Sequence, residues 1–286
     1  MREHILVLGA VAYDAKVVPI WEGFQRHFAD HGLGFDYVLY SNYERQVEAH
    51  LAGAIDVAWN SPLAWIETVR SAGRCGRRAE AVAMRDTDRD LTSVVLVRAD
   101  GPVRSVADLR GRRIAVGASD SPQATLIPLL TVAEAGLEPG RDVEVLHHEV
   151  AVGKHGDHVG GERDAVRALL AGRADAACLI DGNHLAFVRE GTLPQGFAGV
   201  LVQTEPYDHC NFTVLDDHDP AAPRAMIDRF RELLLAMSYD DPAVRPLLDL
   251  EGLKAWLPGR TDRYGQLERA VDRFGTIAAW LDRVRP

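Results

Sequence analysis

The chain has 286 residues, of which 47% are hydrophobic and 26% charged, a composition typical of a soluble globular protein large enough for two domains. Its formal net charge is −10, from 42 acidic and 32 basic residues, which argues against a broad surface for nucleic acid or for an anionic membrane. We therefore expect a small-molecule partner, no nucleic acid and no insertion into a membrane.

The first half of the chain alternates strands with helices, which is typical of a largely parallel sheet. In the first helix Trp21, Phe24 and Phe28 form one apolar stripe. Asn42 is a predicted helix cap, and Pro62 suits the first turn of a helix. The predicted elements are a strand at residues 5–8, a helix at 18–31, a strand at 35–39, a helix at 43–52 and, after a further short strand, a helix at 63–71.

The second half begins with a clear strand at residues 93–98, and Asp-Gly-Pro at 100–102 breaks it. The crossing between two lobes is predicted there, so that lobe 1 holds residues 1–98 and 204–286 and lobe 2 holds 99–203. The later predicted elements are a short helix at 105–111, a strand at 113–116, a polar loop at 117–125, a helix at 126–135, strands at 143–146, 199–203 and 212–215, and helices at 223–237 and 267–284.

One phrase of twelve residues occurs twice, at 47–58 and again 119 residues later at 166–177, with seven identical positions. Each copy predicts the end of a helix, a glycine cap, an aspartate and a short apolar strand. Polar residues follow each strand, and ligands of open α/β sheets collect at the carboxyl ends of strands. The repeat therefore predicts two lobes with polar loops facing one cleft; the alternative is chance recurrence of a common connection.

Several motifs together resemble the phosphate/phosphonate-type substrate-binding proteins of bacterial ABC transporters, over roughly residues 5–217. The motifs are Tyr-Asp-Ala-Lys at 13–16, Asn-Tyr at 42–43, Asp-Val-Ala-Trp at 56–59 leading to Pro-Leu-Ala at 62–64, and Val-Ala-Asp-Leu-Arg-Gly-Arg-Arg-Ile-Ala at 106–115, followed by a serine-containing loop before a helix. The resemblance implies a two-lobed α/β fold of the type II periplasmic-binding-protein kind, with mixed sheets and a ligand cleft between the lobes.

The resemblance also implies a set of ligand-binding residues. In that family an oxyanion lies over the start of a helix that follows a serine-rich loop, where backbone N–H groups and hydroxyls donate to it. The matching positions here are Ser119, Asp120, Ser121, Gln123 and Thr125, together with Tyr13, Tyr43, Asn60, Ser61 and Asp181 on other loops. Asp120 departs from the pattern, because its carboxylate would repel a phosphonate unless it caps its own helix and points away. Instead of binding a ligand, Tyr43 could be a packed helix residue and Asp181 a helix cap.

A histidine-rich stretch follows the strand at 143–146, with His147 and His148 before Glu149. Further along it, His155, Asp157 and His158 could hold a divalent metal, the one cofactor that the sequence suggests. Their spacing matches no standard zinc motif. The alternative is a solvated loop with incidental histidines.

Two functions fit these features. The first is a solute-binding protein that closes by hinge motion on a small polar or anionic organic ligand and delivers it to an ABC permease if it is exported. The second is a cytoplasmic enzyme on the same fold that acts on a small polar metabolite through histidine and aspartate acid–base groups, with metal assistance as an option. Besides Asp120, its candidate catalytic residues are His155, His158, Asp181, His184, His209 and Cys210.

The start of the chain shows no secretory signal, because its apolar run at residues 5–12 leads directly into Tyr13 and Asp14 and predicts a buried strand. The three cysteines have no C-x-x-C spacing, which favours thiols in a reducing compartment. We therefore expect a cytoplasmic protein, or a periplasmic or lipid-anchored one if an export segment was removed.

Overall fold

The computed structural model describes residues 5–157, 160–216 and 224–278. These residues divide into two compact units. The first unit lies within Met1–Arg89, Asp208–Asp262 and Ile277–Pro286, and the second within Asp90–Tyr207 and Arg263–Thr276. None of the helices in the described ranges is long and apolar enough to cross a membrane.

The secondary structure alternates strands and helices along most of the chain. The strands are β1 (Leu6–Val11), β2 (Phe35–Tyr40), β3 (Val57–Asn60), β4 (Arg78–Arg85), β5 (Ser93–Arg98), β6 (Arg113–Val116), β7 (Glu144–His147), β8 (Ala176–Ile180), β9 (Ala198–Gln203), β10 (Asn211–Asp216) and β11 (Trp256–Pro258). The helices are α1 (Val17–Asp30), α2 (Tyr43–Leu51), α3 (Pro62–Arg74), α4 (Ile127–Glu134), α5 (Glu162–Leu170), α6 (Asp181–Arg189), α7 (Arg224–Ala236), α8 (Arg245–Glu251) and α9 (Gly265–Phe274).

The first unit is built on a six-stranded sheet in the order β11-β4-β10-β3-β1-β2. β1 pairs in parallel with β2 and β3, whereas β10 runs antiparallel to β3 and β4. Trp21, Phe24 and Phe28 of α1 are buried in its core, as the apolar stripe predicted. They pack with aromatic residues of the sheet, such as Phe212, which stabilises the unit through apolar burial.

The second unit is built on a five-stranded sheet in the order β7-β6-β8-β5-β9. β6 pairs in parallel with β7 and β8, and β5 runs antiparallel to β8 and β9. β5 therefore belongs to the second sheet, although the boundary expected at residue 98 assigned it to the first lobe. The lobes expected from the sequence, residues 1–98 with 204–286 and residues 99–203, stay a prediction.

The repeated phrase has the same structure in both units. Gly53 and Gly172 end α2 and α5 with φ of 71° and 67°, the left-handed conformation that favours glycine. Asp56 then exchanges backbone and carboxylate hydrogen bonds with the second residue of β1, and Asp175 does the same with the first residue of β6. Each copy thus ties a helix end to the start of a neighbouring strand.

The secondary structure differs from the sequence predictions at β4 and at α9. Residues 78–85 form β4, which the sequence analysis did not predict, since its alternating alanines are weak strand formers. The helix predicted at 267–284 is α9, which ends at Phe274 because Gly275 adopts a left-handed φ of 64°. Residues 279–284 of that prediction lie outside the described part of the chain.

Candidate functional site

The second unit gathers polar loops at one edge of its sheet. The carboxyl ends of the parallel strands β6, β7 and β8 lie there, and antiparallel pairing brings Ser93 of β5 opposite Ile180 of β8. The loop 117–121 follows β6, the histidine loop (residues 148–157) follows β7, and α6 begins directly after β8. We call these loops, with the first turn of α6 and the start of β5, the second-unit edge.

Ser119 presents two hydrogen-bond donors to a carboxylate on this edge. Its backbone N–H and its hydroxyl both donate to Oε2 of Glu149, at 3.0 and 3.2 Å. Both residues are exposed, so this contact lies at the surface of the unit. Paired donors from one loop residue to an ionised oxygen form a small oxyanion-binding arrangement.

The residues after Ser119 form the start of a helical segment. Ser121 caps the π-helical turn Pro122–Leu126, which leads into α4, and its Oγ accepts from the backbone N–H of Ala124 at 3.2 Å. The Thr125 hydroxyl donates to the Ala118 carbonyl at 2.7 Å. Both side chains are buried, so these contacts fix the shape of the loop 117–121.

Asp120 does not cap the helix that follows it, because Ser121 does. Oδ2 of Asp120 instead accepts from the backbone N–H of Gly153 at 2.6 Å. The side chain of Gln123 donates to the Gly156 carbonyl, also at 2.6 Å. Both contacts tie the loop 117–121 and its helix to the histidine loop.

Asp181 is the first residue of α6 and is half-buried on the same edge. Its carboxylate accepts from the Thr92 hydroxyl at 2.7 Å and from the backbone N–H of Gly182 at 2.6 Å. His184 lies one turn further on. Burial lowers the pKa of His184, and the nearby Asp181 opposes that shift.

The histidines of the histidine loop have different surroundings. The Nδ1 atom of His148 lies 3.0 Å from the Val116 carbonyl oxygen, and His155 is buried with a left-handed φ of 50°. Burial lowers the pKa of His155 to about 3, which keeps the ring neutral. Asp157 is also buried, whereas His158 lies outside the described residues. The metal set of His155, Asp157 and His158 stays a prediction.

The first unit has a corresponding edge, where β1, β2 and β3 end and β10 begins. Asn60 is buried there, and its side-chain amide forms hydrogen bonds with other residues of the first unit. It donates to the hydroxyls of Thr68 and Thr213, at 3.2 and 2.9 Å, and accepts from Gln46 at 2.8 Å. These contacts give Asn60 a structural role within the sheet.

The other ligand-binding candidates of the first unit lie on the same edge. Ser61 caps α3 by accepting from the backbone N–H of Ala64 at 3.1 Å. Tyr43 is buried at the start of α2, as the packed alternative proposed. Tyr13 is half-buried after β1, and the Lys16 ammonium lies 5.8 Å from its ring centre.

A buried charged cluster lies at the end of this edge. Nδ1 of His209 lies 3.1 Å from Sγ of Cys210 and 3.4 Å from Oδ1 of Asp88. Arg85 donates to both oxygens of Asp88, at 2.6 and 2.9 Å, and to Glu251 at 3.2 Å. Burial alone would raise the pKa of Asp88, but the Arg85 guanidinium outweighs it and holds that pKa at about 2.

Asp88, His209 and Cys210 have ligand atoms within 4.8 Å of one another, which is a geometry that a metal ion could use. However, Arg85 already brings a positive charge to both oxygens of Asp88. This arrangement favours an internally compensated ion pair over a cation site.

The candidate catalytic residues fall into two groups. His209 and Cys210 lie in the first unit, and His155, Asp181 and His184 lie in the second. Within the units, His209 contacts Cys210, and Asp181 affects the pKa of His184. Cys210 is buried, as is Cys178, and all three cysteines are thiols.

Sequence reasoning missed two residues of the second-unit edge. Glu149 was noted only as a neighbour of histidines, and its contact with Ser119 depends on two loops that lie 30 residues apart. Glu162 was not singled out, although it is buried beneath the edge. An acidic residue at the start of an amphipathic helix is the ordinary pattern of a solvated helix end, so no local feature marked it.

Comparison with known proteins places the chain among transporter components. The family model described as the periplasmic substrate-binding protein of phosphonate ABC transporters matches residues 10–264. PhnD1 of Prochlorococcus marinus (MIT 9301), solved with methylphosphonate, has a TM-score of 0.69 and 16% identity, covering 95% of this chain and 98% of its own. XAC2383 of Xanthomonas citri, solved with ATP, has a TM-score of 0.69 and 18% identity, covering 96% and 99%. The periplasmic aliphatic sulphonate binding protein SsuA of Escherichia coli has a TM-score of 0.59 and 19% identity, covering 99% and 89%.

These comparisons confirm the expected fold class and correct the expected location. The cytoplasmic location is wrong, since the matching family is described as periplasmic. The expectation depended on the spacing of the three cysteines and on the apolar run at residues 5–12, of which the structure places Leu6–Val11 in the buried strand β1. That run is therefore part of the core and carries no information about export. The comparisons support a ligand-binding protein and give no support to the enzyme alternative.

Proposed function

The chain belongs to the family of periplasmic substrate-binding proteins of phosphonate ABC transporters, and from this premise we propose that its ligand is a small organic oxyanion bound at Ser119. Membership makes it a solute-binding protein of a small ligand, as the sequence resemblance implied. The ligand class and the residues that bind it are the proposal. Its transport partner would be an ABC permease.

The contact between Ser119 and Glu149 carries this proposal. A carboxylate oxygen accepts from both the backbone N–H and the hydroxyl of Ser119, so these two donors already point at a common anionic oxygen. A phosphonate, sulfonate or carboxylate oxygen has the same charge and the same acceptor geometry. A ligand oxyanion would replace Glu149 and keep both hydrogen bonds.

The position of Ser119 strengthens the proposal. The loop 117–121 leaves the carboxyl end of β6 and leads into a helical segment, whose dipole favours negative charge near its start. Buried contacts of Ser121 and Thr125 hold the loop in place. The donors are thus organised before a ligand arrives, which lowers the cost of binding.

The remaining candidates of the second unit would support the loop that holds the ligand. Asp120 and Asp181 accept hydrogen bonds from within the unit, which offsets part of their repulsion of an anion. Gln123 and Ser121 support the loop from below. Of the first-unit candidates, Tyr13 retains the most exposure, while Tyr43, Asn60 and Ser61 are buried.

Calorimetric titration with methylphosphonate, methanesulfonate and acetate tests the proposal. We expect at least one of the three to bind, and Ser119→Ala to weaken its affinity about tenfold, because a hydrogen bond to a charged group contributes roughly 1.5–3 kcal/mol. Ser238→Ala is the matched control, since Ser238 is exposed in the first unit. Equal affinities for the wild type and Ser119→Ala would show that the ligand binds elsewhere.

A further inference from the structure

Glu162 has a carboxyl group that is entirely buried beneath the second-unit edge. It is the first residue of α5, directly after the segment that follows β7. Oε2 accepts from the backbone N–H of Ile180 at 3.2 Å and from the side-chain amide of Asn183 at 2.7 Å. Its second oxygen, Oε1, is buried and accepts no hydrogen bond from the described residues.

Gln123 also has a buried side-chain oxygen without a hydrogen-bond donor in the described part of the chain. Its side chain lies close enough to the Glu162 carboxyl to affect the pKa of that group. The Nε2 atom of Gln123 donates to the Gly156 carbonyl at 2.6 Å, which fixes the orientation of the amide. The Oε1 atom of Gln123 is then a buried acceptor that receives no donor from the described residues. Each of these two side chains thus has a buried oxygen that lacks a donor among the described residues, and one proton on Glu162 would supply a donor to Gln123.

We propose that Glu162 is a positioning residue that works as a neutral carboxylic acid, donating its proton to Gln123 and so holding together the segments of the second-unit edge. As an acid, Glu162 has one donor and retains an acceptor oxygen. The donor serves Gln123, and the acceptor serves Ile180 and Asn183. Every polar atom of the pair then has a partner.

The surroundings of Glu162 favour the neutral form. Burial raises the pKa of Glu162 to about 8, and the hydrogen bonds from Asn183 and Ile180 oppose that shift only in part. Among the described residues, the titratable groups that interact with it are Cys178 on β8 and Tyr207 after β9, both acids whose pKa burial raises. Asp181 of α6 acts on Tyr207 in the same direction. The buried Asp88 of the first unit behaves oppositely, because Arg85 contacts it directly.

The proton lies where three segments of the edge meet. Gln123 connects the helix after the loop 117–121 to Gly156 of the histidine loop, and its main-chain carbonyl accepts from the Ser93 hydroxyl at 2.6 Å. Asn183 belongs to the first turn of α6, beside Asp181. Loss of the proton would place a negative charge in the protein interior next to the oxygen of Gln123, and would also repel an oxyanion at the edge.

The link to ligand binding rests on the proposed function, whereas the protonation of Glu162 does not. Stability therefore tests the protonation by itself. The folded pKa of Glu162 is about 8 and its ordinary value is 4.5, so the folded state holds a proton that the unfolded state loses. The stability that this proton provides is complete below about pH 4.5 and is lost as pH rises to about 8.

The variant Glu162→Gln keeps the shape of the side chain and carries a permanent donor and acceptor. We expect the unfolding free energy of the wild type to fall relative to Glu162→Gln between about pH 5 and pH 8, and the difference to level off above pH 8. Glu144→Gln, the same change at an exposed residue of β7, is the control and should leave the pH profile unchanged. Parallel profiles for the wild type and Glu162→Gln would overturn the proposal.

A direct titration covers the case in which Glu162→Gln does not fold. The infrared band of a protonated buried carboxyl should persist in the wild type to about pH 8. Its complete disappearance below about pH 6 would overturn the proposal.

Ligand affinity tests the second part of the proposal. Methylphosphonate should bind the wild type and Glu162→Gln with similar Kd at pH 7, and the ratio of the two Kd values should reach about tenfold at pH 9, one unit above the pKa of Glu162. Ionisation of the ligand cancels in that ratio. A constant ratio would remove the link to binding. If methylphosphonate binds neither protein while the stability profiles still diverge, the proposed ligand class fails and the protonated Glu162 stands.

Discussion

At the scale of single residues, the contact between Ser119 and Glu149 carries the proposed ligand site. Glu149 acts as an internal substitute for an external oxyanion, because both donors of Ser119 converge on its Oε2 atom. At the proposed site, a ligand would have to displace this carboxylate before it could bind. The strength of the internal contact therefore sets part of the ligand affinity.

Neutralising the internal competitor should tighten binding. Glu149→Gln removes the charge that attracts the Ser119 donors and that repels an anionic ligand, so we expect an affinity gain of about tenfold, or roughly 1.4 kcal/mol. Calorimetric titration with methylphosphonate measures it. Glu144→Gln removes an equal charge from the exposed end of β7 and is the control. A similar gain in both variants would mean that overall charge, and not displacement of Glu149, governs affinity.

The Arg85–Asp88 pair is a residue-scale determinant of stability. Asp88→Ala leaves the buried Arg85 guanidinium with one carboxylate fewer, and breaking a buried pair costs about 3–5 kcal/mol of unfolding free energy. Chemical denaturation at neutral pH measures the loss. Asp228→Ala, which breaks an exposed pair with Arg224, should cost less than about 1 kcal/mol.

The pH dependence of this pair has the opposite sign to that of Glu162. The folded pKa of Asp88 is about 2 and its ordinary value is 3.8, so its contribution is present above pH 3.8 and is lost as pH falls to about 2. Asp88→Asn should therefore flatten the acid limb of the stability profile. An unchanged acid limb would show that Asp88 is not ionised in the folded protein.

Single residues were predictable from sequence only where a motif marked them. The resemblance led to Ser119 and Asp181, and the structure places both at the carboxyl edge of the second sheet. It could not reveal that Glu149 accepts from Ser119 or that Glu162 lies beneath Gln123. Those contacts depend on how loops that are far apart in sequence pack together, and the local patterns of a single sequence do not determine that packing.

At the scale of secondary-structure elements, the repeated phrase is a connection used once in each unit. Gly53 and Gly172 both need a left-handed φ, and a methyl group at either position would meet no neighbouring atom. Alanine at either position should therefore cost only the backbone strain, about 1–2 kcal/mol of unfolding free energy. Chemical denaturation of Gly53→Ala and Gly172→Ala measures that cost.

Gly73 provides a matched control for the two repeat glycines. It lies inside α3, also with open space around it, but without a left-handed φ. Gly73→Ala should raise the unfolding free energy by roughly 0.5–1 kcal/mol, because alanine restricts the unfolded chain and favours helix. Equal effects at all three glycines would contradict the role assigned to the repeat.

Helices with strong patterns were the most predictable elements. The aromatic stripe of α1, the Asn42 cap of α2 and Pro62 at the start of α3 are all confirmed. β4 was not predictable, since its alanines carry little preference and its place between β10 and β11 is set by tertiary pairing. The π-helical turn before α4 was expected as part of a loop, because no residue pattern distinguishes that turn.

At the scale of the whole molecule, the sequence predicted the fold class and the family, whereas the ligand and the location lay beyond it. The alternation of strands and helices and the two copies of one connection were sufficient for an α/β chain with two similar units. The ligand depends on a few polar atoms at the ends of strands, which relatives of similar fold vary. Closure of the lobes by hinge motion stays a prediction.

The most direct test of the proposed function is a crystal structure of the protein grown with methylphosphonate. We predict a phosphonate oxygen within hydrogen-bonding distance of both the backbone N–H and the hydroxyl of Ser119, with the Glu149 carboxylate displaced from them. A bound phosphonate that lies elsewhere while Ser119 still donates to Glu149 would contradict the account.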